Sequence, residues 1–190
     1  MIWLIAGLVI FLGVHSVAIV APAWRDRMYA RLGDPGWKGP YALLSILGFA
    51  MILHGYPIAN RAPVLLHSPP TWTRHLAVVL MLPVFPLLLA AYLPGRIKSF
   101  AKHPLLAATI LWGLAHVLAN GTVPDLLLFG GFLAWAVADR LAVAKRAPRA
   151  VPSAPAGRWN DAIALVVGLV LYATLLGGLH ARLFGVSPLG

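Results

Sequence analysis

The side chains able to do chemistry in this sequence are mostly histidines. There are seven of them, no cysteine and five acidic residues, all aspartate. Without cysteine there are no disulfides, iron–sulfur clusters or thiolate metal sites. Without glutamate there are few candidates for a general base. No H-x-x-H or H-E-x-x-H pair occurs, so a zinc hydrolase has no support. No glycine-rich phosphate loop is present, and Ser16 and Ser45 lack an acidic partner for a hydrolytic triad.

The most informative stretch is Lys102–Gly121, KHPLLAATILWGLAHVLANG. Its polar groups are few and spaced: His103 at the mouth, Thr109 and Trp112 inside, His116 deep, and Asn120 near the far end. At about 100° per residue, Thr109, Trp112, His116 and Asn120 form one stripe with Gly113 beside it, expected to face a bundle interior. A charged side chain inside a span costs about 2.5–3.5 kcal/mol on insertion scales, so such residues tend to have a function and a partner. Neutral histidine costs less but still needs hydrogen bonds or a metal. His116 is therefore either a buried imidazole hydrogen-bonded across helices, with glycine allowing close packing, or a cofactor ligand. Two neutral imidazoles from separate helices commonly hold haem iron in a membrane bundle. His103 lies roughly 140° around the wheel from His116 and about 20 Å away along the axis, so the two cannot bind the same metal atom. His103 sits where an interfacial, snorkelling role is expected.

Positioning these groups requires membrane spans. The chain has 190 residues, 61% hydrophobic and only 11% charged, whereas a soluble domain carries about 25% charged residues. The expected fold is all-α, a polytopic transmembrane helical bundle in one domain. Six spans are expected at about 2–21, 41–59, 74–93, 104–119, 125–143 and 161–183. Pro83 and Pro86 should kink the third, and Pro94-Gly95 should end it. Between the first two spans, Trp24, Met28 and Leu32 recur every four residues among Arg25, Arg27 and Arg31. This predicts a short helix lying in the headgroup layer, closed by an Asp34-Pro35-Gly36 turn. Residues 145–158, rich in Pro, Ala and Arg, are expected to be the most mobile.

The net charge of +10 would suggest nucleic acid in a soluble domain. Here it follows the loops. Arg25, Arg27, Arg31, Lys38, Arg96, Lys98, Lys102, Arg140, Lys145, Arg146, Arg149 and Arg158 fall on one side of the alternation, and only Arg61, Arg74 and Arg182 on the other. That asymmetry predicts both termini outside and the three basic loops in the cytoplasm, with no nucleic-acid partner. The partner this implies is the lipid bilayer.

His15 and His54 are the other deep histidines. His15 lies about 10 Å from the cytoplasmic edge of its span, while His54 and His116 lie about 20 Å in. Equal depth pairs His54 with His116, and helix tilt would absorb the difference for His15. His67, His75 and His180 lie in a loop or near the outer interface, where solvation is the ordinary role.

The first-span His15-Ser16 pair and His103-Pro104 followed by Trp112, Gly113, His116 and Gly121 resemble the NnrU family, bacterial membrane proteins named from denitrification gene clusters. The most specific part is H-P-x(11)-H at His103, Pro104 and His116. That family is similar to the plastid zeta-carotene isomerase, an integral membrane enzyme carrying haem b. The resemblance implies a multi-pass protein of the bacterial cytoplasmic membrane that binds haem b, with His15 and His116 as ligands. The isomerase has a cysteine three residues before its second ligand; Gly113 stands there in this chain. The resemblance also leaves room for a non-enzymatic factor supporting nitrite or nitric oxide reduction.

A second resemblance lies at Lys102-His103-Pro104, similar to the R-H-P motif of membrane methyltransferases that bind S-adenosylmethionine. Here lysine replaces the arginine, and only Asp139-Arg140 is roughly placed for the acidic pair of those enzymes. Three function classes follow: haem-dependent redox or isomerase-like chemistry on a hydrophobic substrate, an accessory membrane factor, and a methyltransferase-like protein.

Overall fold

The computed structural model describes residues 1–146 and 152–189. In chain order the helices are α1 (Ile2–Val20), α2 (Pro22–Ala59), α3 (Thr71–Met81), α4 (Val84–Ala90), α5 (Arg96–Ala101), α6 (Pro104–Ala119), the single turn α7 (Val123–Asp125), α8 (Gly131–Val143), α9 (Asn160–Thr174) and α10 (His180–Phe184). π-Helical turns at Leu126–Gly130 and Leu175–Leu179 join α7 to α8 and α9 to α10. The described residues contain no strand, only an isolated bridge between Leu65 and Thr122.

Among the described residues five helical stretches are long and apolar enough to cross a membrane: Ile2–Val20, Pro22–Ala59, Thr71–Ala90, Val123–Val143 and Asn160–Phe184. The expected fourth span is present as α6, but its sixteen residues rise only about 24 Å, short of a hydrocarbon core of about 30 Å. The protein is a multi-pass, all-helical membrane protein.

The helices fall into two compact units. In the first, residues 1–66 and 122–146, α1 lies against α2 and α8. Three glycines permit the first contact. A Cβ on Gly7 would come within 2.7 Å of the Ile52 nitrogen and 2.8 Å of the Gly48 carbonyl oxygen, and one on Gly48 within 2.7 Å of the Phe11 nitrogen. A Cβ on Gly55 would collide with the backbone at Leu4, whose side chain is fully buried. Small residues let backbones approach closely, which is how helices associate where no hydrophobic force separates them from lipid.

α2 breaks once, at Gly33, with φ 69° and ψ 178°, a conformation that side chains disfavour. The expected turn at Asp34-Pro35-Gly36 is thus replaced by a single-residue break, and residues 34–40 are already helical. Pro35 falls in the first turn after the break, where a missing N–H costs nothing. Contacts across the break hold it. The Trp24 and Trp37 rings meet edge-on at 6.0 Å, and the Tyr29 hydroxyl donates to Asp34 at 2.7 Å. Asp34 also pairs with Lys38 at 2.8 Å.

In the second unit, residues 67–121 and 152–189, α4 packs on α6 and α9, and α3 on α6. Of the two prolines expected to kink the third span, only Pro83 interrupts it. Pro86 is the third residue of α4, where a proline needs no intrahelical bond. The break leaves a carbonyl to satisfy. Leu82 N–H turns to Val79 at 3.2 Å, and the Tyr172 hydroxyl donates to the Val78 carbonyl at 2.9 Å. A buried backbone group without a partner in lipid would cost several kcal/mol (about 2–7).

The Pro94-Gly95 break is stitched in the same way. Asp161 accepts the amide hydrogens of Arg96 at 2.8 Å and Ile97 at 3.0 Å, which start α5. Asn160 Nδ2 donates to the carbonyls of Pro94 and Pro155 at 2.8 and 3.0 Å. Ala154 N–H donates to the Tyr92 carbonyl at 2.8 Å. Within the stretch expected to be most mobile, residues 147–151 lie outside the described residues, whereas Arg146 and Ala154 have defined partners.

Candidate functional site

His15 sits on α1, five residues before its last residue, Val20. Its Nδ1 is 2.7 Å from the Phe11 carbonyl oxygen, one turn back on the same helix. A carbonyl can only accept, so Nδ1 carries the proton, and in neutral imidazole the lone pair is then on Nε2. The ring stacks on Phe11 at 4.3 Å and 26°, lies 5.2 Å from the Tyr41 ring, and meets Trp135 at right angles at 5.9 Å. Phe11 in turn touches Phe49 and Phe132. His15 is thus half-buried in an aromatic box with a fixed tautomer.

His116 repeats the pattern in the second unit. Its Nδ1 is 2.8 Å from the carbonyl oxygen of Trp112, again four residues back, which makes Nε2 the basic nitrogen. The Trp112 ring lies 5.2 Å from the imidazole. Below it, Asn120 donates twice to the His116 carbonyl, by its backbone N–H at 3.0 Å and its Nδ2 at 2.8 Å. Thr109 returns its hydroxyl to the Leu105 carbonyl at 2.9 Å. The stripe expected to face the interior is only half-buried. The buried positions of α6 are Pro104, Leu106, Ala108, Gly113 and Ala115, on either side of it.

The remaining histidines differ. His54 is exposed on α2, with Trp3 edge-on at 5.9 Å; among the described residues it has no ring-nitrogen hydrogen bond. His103 is the residue before α6 begins at Pro104. It follows a tight turn in which Lys102 takes φ 57° and ψ −46° and His103 N–H returns to the Ala101 carbonyl at 2.6 Å. That is close to the strained form of the three-residue turn. His180 donates Nδ1 to the Val186 carbonyl at 2.7 Å, in an exposed terminal turn. His67 and His75 are exposed.

The structure therefore places His15 and His54 in the first unit and His103, Trp112, Gly113 and His116 in the second. Within α6 it brings Trp112 and His116 into contact, with Gly113 buried beside them. Among the described residues, no group of three or more His, Asp or Glu side chains is gathered to hold a metal ion.

Two polar clusters of the first unit escaped the sequence reading. Around His15, Trp135 is followed one turn on by buried Asp139. Arg146 pairs with Asp139 at 2.9 Å and donates Nη1 to the Ala18 carbonyl at 3.0 Å. The signal was the i, i+4 spacing of Trp135 and Asp139, which places them on one face. At the opposite end of α2, buried Asp125 accepts from the hydroxyls of Tyr56 and Thr122, each at 2.6 Å. Thr122 and Asp125 also form a reciprocal cap for α7.

The family model described as NnrU protein matches residues 3–188. The chain belongs to the NnrU family. The match runs through both units and includes His15, Trp112, Gly113 and His116. Comparison with curated proteins found no match, and comparison with solved structures found none.

Proposed function

We propose that this member of the NnrU family is a haem b protein of the bacterial cytoplasmic membrane, and that His15 and His116 are the residues that would hold its iron. In this reading it acts in redox chemistry on a hydrophobic substrate. The observation supporting it is the shared setting of the two imidazoles. Each donates Nδ1–H to the carbonyl four residues back, at 2.7 Å for His15 and 2.8 Å for His116. A histidine that ligates a metal typically donates its other ring nitrogen to an oxygen, which fixes the tautomer and raises ligand basicity. His54, the alternative partner for His116, lacks that feature.

Two imidazoles do not complete a site for a bare ion, which wants about four protein ligands. Iron in a porphyrin brings four nitrogens of its own and would need only one or two imidazoles from the chain. The donor set fits haem for that reason. Bound there, haem would supply one-electron chemistry. The chain's own share is to hold each Nε2 in its basic form and to keep water from the His15 ring with Phe11, Tyr41 and Trp135. The asymmetry of loop charge supports an orientation with both termini outside the cytoplasm.

The test is the absorption spectrum of protein purified in mild detergent after expression with ample haem. A Soret band is expected, with the split visible bands of a low-spin b-type centre after dithionite. His15→Ala should lose the haem or turn its iron high-spin. A colourless wild type would contradict the proposal and put an accessory role first.

A further inference from the structure

We infer that the notch between the C-terminal ends of α1 and α8 binds a phospholipid of net negative headgroup, its phosphate held by Lys145. This is independent of the haem reading and concerns the first unit alone. The notch has a volume of about 340 Å³. Its apolar walls include Ile19 in the last turn of α1, Pro22 at the start of α2, and Leu141 and Ala142 in the last turn of α8. The charged residues that line it, among those described, are Lys145 and Arg146, and no acid does. A cleft with apolar walls and a basic edge suits an amphiphile with an anionic head.

The two cations differ. Arg146 is already engaged, with the Ala18 carbonyl at 3.0 Å and Asp139 at 2.9 Å, so it shapes the notch and adds no uncompensated charge. Lys145 is exposed, and among the described residues its ammonium has neither an ion pair nor a hydrogen bond. The unmatched charge at the notch is therefore that of Lys145. Two more unmatched cations, Arg27 and Arg31, follow Pro22 on α2, roughly 8 and 14 Å further along the helix. Arg25 and Lys38, by contrast, pair with Asp26 and Asp34. Basic residues at a membrane surface attract anionic lipid. Val20 and Leu141 beside the notch are exposed, which favours a lipid over a soluble anion, since a small hydrophilic ion gains nothing from an apolar wall.

The test is native mass spectrometry of delipidated protein in detergent. The protein is titrated with dioleoylphosphatidylglycerol or with dioleoylphosphatidylcholine, which has the same chains and a headgroup neutral overall. The wild type should bind the first anionic lipid about fivefold or more tightly than the zwitterionic one. Lys145→Gln should lose most of that preference, with its affinity for the zwitterionic lipid unchanged. Arg61→Gln, which removes an exposed cation just beyond the far end of α2, should keep the preference. Equal losses in the two variants would overturn the inference, since the lipid would then be answering to net charge and not to the notch. Equal affinity of the wild type for the two lipids would also overturn it, and that result needs no variant. Full displacement of the anionic lipid by soluble glycerol phosphate would overturn it as well, assigning the notch to a free anion.

Discussion

The Tyr56 hydroxyl donates to Asp125 Oδ1 at 2.6 Å, joining α2 to the start of α7 across 69 positions of sequence. Asp125 is 7% exposed, and its other oxygen takes the hydroxyl of Thr122 at 2.6 Å. Tyr56→Phe would leave a buried carboxylate one donor short. The expected loss is about 1–3 kcal/mol, read as a lower midpoint of thermal unfolding in detergent. An unchanged midpoint would show that this contact does not hold the two segments together.

Gly48→Ala is expected to destabilise the first unit by about 1–3 kcal/mol, the usual range for overpacking. The added methyl would meet backbone atoms of Phe11, the nitrogen at 2.7 Å and Cα at 3.0 Å. Backbone cannot rotate aside as a side chain can, so α1 and α2 must separate. Gly39→Ala, where a Cβ meets nothing within 4 Å, is the control and should be nearly neutral. Equal melting of the two variants would contradict the close-packing account of α1 and α2.

Much of the chain was legible in its sequence, and the parts that were not share a cause. The apolar runs marked the long helices because a bilayer demands them, and Pro104 and Asn120-Gly121 bounded α6 correctly. The break in α2 was placed at Asp34-Pro35-Gly36 instead of Gly33. A proline in the first turn of a helix and a proline in a turn give the same local signal, and only the positive φ of Gly33 separates them. Pro86 misled in the same way, since its position within α4 depends on where Pro83 had already ended the previous helix. At the site, His15 and His116 stood out as ionisable groups inside apolar runs. Their Nδ1 bonds are local, each to residue i−4, yet a rotamer is not written in spacing. Trp135, Asp139 and Arg146 went unread because Trp135 meets His15 and Arg146 meets Ala18 only where the chain from α8 onward packs against α1, the latter contact 128 positions apart in sequence.

The loop charges predict where reporters should sit. A reporter enzyme fused after Arg149 should be cytoplasmic, and one fused at the C-terminus should be outside. Finding the C-terminal reporter in the cytoplasm would contradict the six-span reading with both termini outside. It would point instead to α6, only sixteen residues long, as a helix that does not cross.

His54 and His103 should be dispensable for haem. His54 is exposed, and His103 closes the strained turn before α6. His54→Ala and His103→Asn are each expected to retain a haem-to-protein ratio within about twofold of wild type, a difference of about 0.4 kcal/mol. The ratio is measured by pyridine haemochrome assay on purified protein. Loss of haem in His54→Ala with retention in His15→Ala would reassign the first ligand. Binding of S-adenosylmethionine, measured by calorimetry and lost in His103→Asn, would favour the methyltransferase-like reading of that corner.

Haem ligation by His116 is tested most directly by the reduced-minus-oxidised visible spectrum of purified wild type and His116→Ala, produced with the same haem supply. The expected result is a split, low-spin b-type signal in the wild type and loss of most of it in His116→Ala, at equal protein yield. An undiminished low-spin signal in His116→Ala would contradict the assignment of this residue as an axial ligand.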